Sequence, residues 1–166
     1  RTRERYPPGP RTTAQPGPRG AGLEGRTRPT HFAGVLTVVS KLMHVTHCSD
    51  AFFGEKDYQQ LVIIQQMVTD LNLEVRVHGV PIVREADGLA KSSRNVYLAD
   101  EERELALTLS AALTAGAFVA EDGAERVLET ARGIIADADG VELDYLELRG
   151  ADLGEAPETG DARLLV

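Results

Sequence analysis

Two short polar segments hold the residue types and the spacing best suited to chemistry. In the first, residues 52–60 (FFGEKDYQQ), Gly54 and Lys56 follow a short apolar run and precede an amphipathic helical pattern. A glycine permits close backbone approach, and a lysine just before a helix N-terminus is placed to meet a phosphate or carboxylate. The alternative is an exposed lysine with Asp57 as an ordinary helix N-cap.

The second segment, residues 87–95 (DGLAKSSRN), combines two hydroxyls with two cations. Lys91 and Arg94 can offset phosphate charge, and the hydroxyls of Ser92 and Ser93 can donate hydrogen bonds. A polar linker between domains would share this composition, so that alternative stays open. Because both segments indicate phosphate, the pair favours an anion site more strongly than either alone.

Alternating helical and strand patterns surround the first segment. Residues 32–43 carry apolar side chains at helical spacing, and residues 50–53 are typical of a short buried strand. A second helix is predicted from Asp57, with Gln60 completing a capping-box pattern, and a strand follows over residues 74–78. A strand–helix–strand unit implies parallel strands with a right-handed crossover, and hence an α/β sheet.

After Val83 the pattern changes, and we predict a boundary there between domains 1–83 and 84–166. Helices are predicted from Asp100 and from about residue 123, followed by a strand over 141–148. Two helices followed by strands indicate a small α+β domain.

The first of these two helices has an apolar stripe that includes Leu109 and Ala112. We expect Leu109→Ala to open a cavity in the core.

Charge and composition narrow the function classes. The 166 residues carry a net charge of −8, and the acidic excess lies after residue 99, which argues against nucleic acid as the main partner. No apolar run approaches the ~18 residues of a membrane span, and no secretory leader is visible, so we expect a cytoplasmic protein. The single cysteine, Cys48, excludes an internal disulfide framework.

The N-terminal residues 1–29 are rich in proline and predict an extended loop region, in which residues 12–14 could form a short strand. The chain starts without methionine and stops on an apolar run, so we expect a fragment of a longer protein.

Four segments, in order, resemble the pantothenate synthetase (pantoate–β-alanine ligase) family: RPTHFAGVLTVV, GEKDYQQ, VPIVREADGLAKSSRN and VELDYLEL. The SSRN segment resembles the KMSKS loop of class I nucleotidyl-transferring enzymes. The resemblance implies half of a Rossmann-like nucleotidyltransferase domain with a parallel sheet, followed by a small α+β C-terminal domain.

The resemblance also implies a reaction. Pantoate and ATP, accompanied by Mg²⁺, give pantoyl-adenylate and pyrophosphate. The amine of β-alanine then displaces AMP to give pantothenate, a step of coenzyme A biosynthesis. The family is usually a homodimer, with no nucleic acid or membrane partner.

Site roles follow from the resemblance residue by residue. Catalytic roles fall on Lys56, Ser92, Ser93 and Arg94, and pantoate binding falls on Gln60 and His31. No resident metal ligands are implied. ATP binding is implied for Gly54, Glu55, Lys56, Asp57, Val83, Lys91, Ser92, Ser93 and Arg94.

This sequence departs from the family at two points. Lys91 stands where many members carry methionine, and the His-x-Gly-His motif does not occur in the 166 residues. We therefore expect this chain alone to have little or no ligase activity. Another nucleotidyltransferase of the same superfamily and a non-catalytic truncated piece are the competing hypotheses.

Overall fold

A computed structural model describes residues 12–166, which form two compact units. The first unit takes in the described residues through Phe52 together with Gln59–His78, and the second takes in Phe53–Tyr58 and Gly79–Val166. No helix within residues 12–166 has both the length and the apolar character needed to cross a membrane. The predicted domain boundary near Val83 concerns the whole protein and stays a prediction.

From residue 31 onward, the first half of the chain alternates helix and strand as predicted. The sequence predicted an extended loop over residues 1–29, and this is wrong at Glu24–Thr27, which form a short helix. The elements of this half are α1 (Glu24–Thr27), α2 (His31–Thr46), β1 (Asp50–Gly54), α3 (Tyr58–Asp70) and β2 (Arg76–Val80). The helical period of the apolar residues and the short apolar run therefore indicated the correct elements.

The strand suggested at residues 12–14 is wrong, because these residues are irregular. The backbone N–H of Ala14 donates to the Thr37 hydroxyl on α2 at 3.0 Å, rather than to a neighbouring strand. The part of the predicted N-terminal loop before residue 12 lies outside the described residues.

The strands β1 and β2 are hydrogen-bonded neighbours joined through α3, which is the connection of a parallel pair. Asp50 on β1 accepts two hydrogen bonds from the Arg76 guanidinium, at 2.9 and 3.0 Å, and lies 2.8 Å from His78 Nε2. The hydrogen bonds from Arg76 and His78 lower the pKa of Asp50 from 3.8 to about 2. The α/β architecture predicted from the sequence is confirmed.

Helix α3 is the most deeply buried element of the first unit. Four consecutive residues, Leu61–Ile64, are buried, and Ile64 is wholly inaccessible. A helix that is apolar on more than one side must be covered on more than one side. Phe32 and Leu36 of α2 also belong to the buried core of the first unit.

The second unit contains α4 (Asp100–Phe118) and α5 (Ala124–Ala136), followed by the antiparallel strands β3 (Glu147–Gly150) and β4 (Ala162–Leu165). The two helices agree with the sequence pattern. The predicted strand at 141–148 begins too early. Val141 donates its N–H to the Ala138 carbonyl in the turn after α5, so the alternation there reflects packing on the helices.

Small residues bring α4 and α5 close together. Ala112 and Ala131 are fully buried, and a Cβ added at Gly116 on α4 would lie 3.4 Å from both Ala131 Cβ and the Val127 carbonyl oxygen on α5. The apolar stripe of α4 is therefore turned toward Ala112 and Gly116. Leu109 is 38% exposed, so its prediction as a core residue is wrong.

We expect Ile135→Ala to lower the free energy of unfolding by about 2–4 kcal/mol, because the side chain is 3% exposed and would leave a cavity. Leu109→Ala is the matched control and should cost less than about 1 kcal/mol, because water already reaches that side chain. Urea denaturation of the two variants measures both changes. Equal losses would contradict this assignment of the core.

Candidate active site

The first candidate segment forms a 3₁₀ turn, Glu55–Asp57, which we call the lysine turn, between β1 and α3. Gly54 has an ordinary extended backbone (φ −69°), and a Cβ there would contact no atom within 4 Å. The space beside Gly54 is therefore open to a ligand. Lys56 is 42% exposed, and its Nζ lies 3.5 Å from Asp57 Oδ1.

The second candidate segment, residues 87–95, is called the serine loop. Lys91 donates its backbone N–H to the Val83 carbonyl at 2.8 Å, and Asn95 Nδ2 donates to the Ala90 carbonyl at 3.0 Å. The hydroxyl of Ser92 accepts from the Arg94 N–H at 3.2 Å and caps a 3₁₀ turn over Ser93–Tyr97. Hydrogen bonds thus fix the backbone of the loop, while the side chains of Ser93 and Arg94 face solvent.

The base of the serine loop is fixed by two long-range contacts that the sequence did not predict. Asp87 Oδ2 lies 2.6 Å from Arg103 Nη1 on α4, and Asp87 Oδ1 accepts the Leu89 N–H at 3.1 Å. Arg84 Nη1 donates to the Gly88 carbonyl and to the Ser110 hydroxyl, at 3.0 and 3.1 Å. No local periodicity indicates partners so far apart in the chain.

The electrostatics of the serine loop follow from these pairs. The hydrogen bond from Arg103, followed by that from the Leu89 N–H, lowers the pKa of Asp87 below 3.8. Lys91 Nζ lies 3.6 Å from Glu85 Oε2. The extra cation of this sequence is thus partly offset by the Glu85 carboxylate, which lies just before the serine loop.

His31 and Gln60, the two residues with predicted roles in pantoate binding, line one open depression of about 400 Å³. His31 begins α2, and Gln60 lies in the first turn of α3. The rest of the lining is small or branched apolar residues of α2: Gly34, Val35, Val38 and Val39. The sequence indicated these valines only as an apolar stripe on a helix. Their helical spacing was the only feature that could have predicted that they line the same depression.

Gln59 makes buried hydrogen bonds that the sequence did not predict. Its side chain is 6% exposed, and its Nε2 donates to the carbonyls of Arg19 and Gly22 at 2.8 and 2.9 Å. These bonds attach the start of α3 to the turn at residues 19–22. The neighbouring Gln60 is thereby held at a fixed place on the wall of the depression.

The predicted site residues thus fall into two groups, one in each unit of the chain. His31 and Gln60 share the depression in the first unit. The lysine turn and the serine loop both belong to the second unit, and their convergence on one nucleotide stays a prediction. Within residues 12–166 no group of three or more His, Cys, Asp or Glu side chains is arranged to hold a metal ion.

A parallel α/β unit, with a lysine turn at the carboxyl end of its strand, defines the class of half a Rossmann-like nucleotidyltransferase domain. A family model for pantoate–β-alanine ligase matches residues 1–166. Pantothenate synthetase of Corynebacterium jeikeium is 74% identical over 99% of this chain, and that of Nocardia farcinica is 62% identical over 97%. The chain belongs to the pantoate–β-alanine ligase family.

Solved structures agree with the sequence relatives. Pantothenate synthetase from Thermus thermophilus matches with a TM-score of 0.91 and 41% identity, over 98% of this chain and 60% of that one. Pantoate–β-alanine ligase from Francisella tularensis, complexed with β,γ ATP and β-alanine, matches with a TM-score of 0.70 and 32% identity, over 87% of this chain and 53% of that one. The chain spans about half the length of its curated relatives, 54% for C. jeikeium and 51% for N. farcinica.

Removing Arg103 should release the base of the serine loop. In Arg103→Leu we expect the pKa of Asp87 to rise toward 3.8, which a carbon-detected NMR titration of the carboxyl measures. Because the folded pKa is below the unfolded value, the pair stabilises the fold above pH 3.8, and this stabilisation is lost as the pH falls further. Arg126→Leu, which breaks the exposed Arg126–Glu129 pair, is the control. An unchanged Asp87 titration in Arg103→Leu would contradict the assignment.

Proposed function

We propose that the full-length protein containing this chain joins pantoate to β-alanine at the expense of ATP. The observation that carries the proposal is the depression of about 400 Å³ that His31 and Gln60 share with three valines. Family membership supports the reaction class, and the depression supports a binding site for the acid substrate in the first unit.

Pantoate is a small branched acid with two hydroxyls, two methyl groups on one carbon and a carboxylate. The valines of α2 offer an apolar wall for the methyl groups, and the Gln60 amide can donate to and accept from the polar groups. His31 lies at the same rim, with its Nε2 3.7 Å from Glu24 Oε1. A volume near 400 Å³ falls within the range of small-molecule sites, about 300–1,000 Å³.

The nucleotide half of the reaction is assigned to the lysine turn and the serine loop. A pantoate carboxylate oxygen attacks the α-phosphorus of ATP, and pyrophosphate leaves with the electron pair of the broken P–O bond. Negative charge builds up on the phosphates during this step, and Lys56 and Arg94 supply preorganised cations for it, with the hydroxyls of Ser92 and Ser93 as donors. Mg²⁺ enters as the ATP complex, which is the form of the substrate.

The second half-reaction consumes the mixed anhydride. The neutral amine of β-alanine attacks the pantoyl carbonyl carbon and forms the C–N bond. AMP leaves with the electron pair of the broken acyl C–O bond, and the nitrogen loses a proton to water to give the amide. The Francisella relative, solved with β,γ ATP and β-alanine, supports these two as substrates here. We also propose that the full-length protein is a cytoplasmic homodimer, as the family resemblance implies.

Pyrophosphate–ATP exchange tests the proposal on the full-length protein. Exchange of labelled pyrophosphate into ATP should require pantoate and should not require β-alanine, because the adenylate forms before the amine is used. Exchange that ignores pantoate would favour another nucleotidyltransferase of the superfamily. No exchange with any small acid would favour a non-catalytic role.

Gln60→Ala should raise the KM for pantoate about tenfold while leaving the KM for ATP within about twofold, because Gln60 lines the depression proposed for the acid. Steady-state kinetics of the full-length enzyme measure both constants. Gln65→Ala on the exposed side of α3 is the control and should change neither. A rise in the ATP KM alone would contradict the role given to Gln60.

Lys56→Ala should lower kcat by about two to three decades, the loss expected on removing one transition-state cation worth ~3 kcal/mol. Because the side chain is 42% exposed, the thermal midpoint should hardly change. Lys41→Ala removes the same charge from α2 and is the matched control. An unchanged kcat in Lys56→Ala would remove Lys56 from the catalytic set.

A further inference from the structure

Residues on both sides of Lys56 are held by contacts that reach β4 and the end of β3. Arg163 Nη1 on β4 lies 3.7 Å from Glu55 Oε2, and its guanidinium carbon lies 4.9 Å from the centre of the Tyr58 ring. The Tyr58 hydroxyl donates to the Ala151 carbonyl at 2.8 Å. All of these residues belong to the second unit. The chain on either side of Lys56, at Glu55 and at Tyr58, is thus attached to β4 and to Ala151 after β3.

The arginine at position 163 does not stabilise the pairing of β3 with β4. Arg163 stands directly across from Arg149 in the register, and like charges in opposed positions destabilise a strand pair. Arg149 is paired with Glu147 of its own strand. The described contacts of Arg163, by contrast, are with the lysine turn and Tyr58, and these give the side chain its role.

The neighbouring residue links β4 to the helical core. Leu164 packs against the buried cluster of α4 and α5, which contains Ala112, Ala131 and Ile135. Successive side chains of a strand point to opposite faces. β4 therefore contacts the core with Leu164 and the lysine turn with Arg163. The strand thus connects the turn to the packed core of the second unit.

Charge gives Arg163 a second effect on the lysine turn. Glu55, Lys56 and Asp57 together carry one positive and two negative charges, and Arg163 brings the sum to zero. An unpaired Glu55 carboxylate would repel a triphosphate approaching Lys56. Arginine suits the position, because its planar group stacks on the tyrosine ring and pairs with a carboxylate at once, which lysine does less well.

We propose that Arg163 is a positioning residue for the nucleotide step, holding Glu55 and Tyr58 so that Lys56 is presented to the ATP phosphates beside a neutralised carboxylate. The proposal rests on the proposed function of Lys56. It extends the nucleotide machinery to β4, about a hundred residues further along the chain. Its effect falls on ATP and not on pantoate.

Arg163→Met in the full-length protein tests the proposal, with Arg149→Met as the control on the directly opposed residue. We expect the KM for ATP to rise about tenfold in Arg163→Met, with the KM for pantoate within about twofold of the parent. The thermal midpoint should fall no further than in Arg149→Met. Arg163→Lys keeps the charge without the planar stacking, so its KM for ATP should lie between that of the parent and that of Arg163→Met.

A second variant separates the charge effect from simple loss of packing. Adding Glu55→Gln to Arg163→Met removes the carboxylate that Arg163 neutralised. The KM for ATP of the double variant should therefore be about threefold lower than that of Arg163→Met. A merely structural arginine would give no such recovery, because the double variant has fewer contacts than the single one.

The parent and Lys56→Ala, measured in parallel, distinguish failure of this proposal from failure of the proposed function. If Lys56→Ala loses activity while Arg163→Met keeps its KM for ATP within about twofold, the positioning role is overturned and the proposed function stands. If the parent shows no pantoate-dependent activity, the proposed function fails. If Lys56→Ala keeps the kcat of the parent, only the role proposed for Lys56 fails. This inference fails with it in either case. Equal rises in the KM values for ATP and pantoate would also overturn the positioning role.

Discussion

The proposed function sets one electrostatic constraint on the structure, because an acidic stretch of chain has to bind a triphosphate. The residues after position 99 carry most of the acidic excess of a chain whose net charge is −8. ATP brings several further negative charges, and its approach depends on where the few cations stand. The second unit therefore has to concentrate positive charge at two short turns and keep the carboxylates there neutralised.

The ion pairs of the second unit follow this constraint. Three acidic side chains beside the candidate phosphate contacts each have a cation close to them: Glu55 has Arg163 at 3.7 Å, Glu85 has Lys91 at 3.6 Å, and Asp87 has Arg103 at 2.6 Å. The partners are all partly exposed, and pairs of this kind contribute only about 0–1 kcal/mol to stability. Their main effect is on the local field and on the position of the two turns.

Local patterns in the sequence predicted most of the fold and the chemical types of the site residues, but not their partners. The helical period over α2 and α3 and the short run at β1 were sufficient, because each element contacts the core at regular intervals. Leu109 was assigned to the core wrongly, because α4 and α5 approach each other at the small residues Gly116 and Ala131 and not at Leu109. The Arg163 contacts join residues about a hundred positions apart, and no periodicity reports such a pairing.

A crystal structure of the full-length protein with ATP and Mg²⁺ tests the central claim most directly. The account predicts that Lys56 Nζ and the Ser92–Arg94 segment both lie within hydrogen-bond distance of the same triphosphate, with the Glu55 carboxylate turned toward Arg163. A triphosphate that contacts only one of the two turns, or neither, would contradict it.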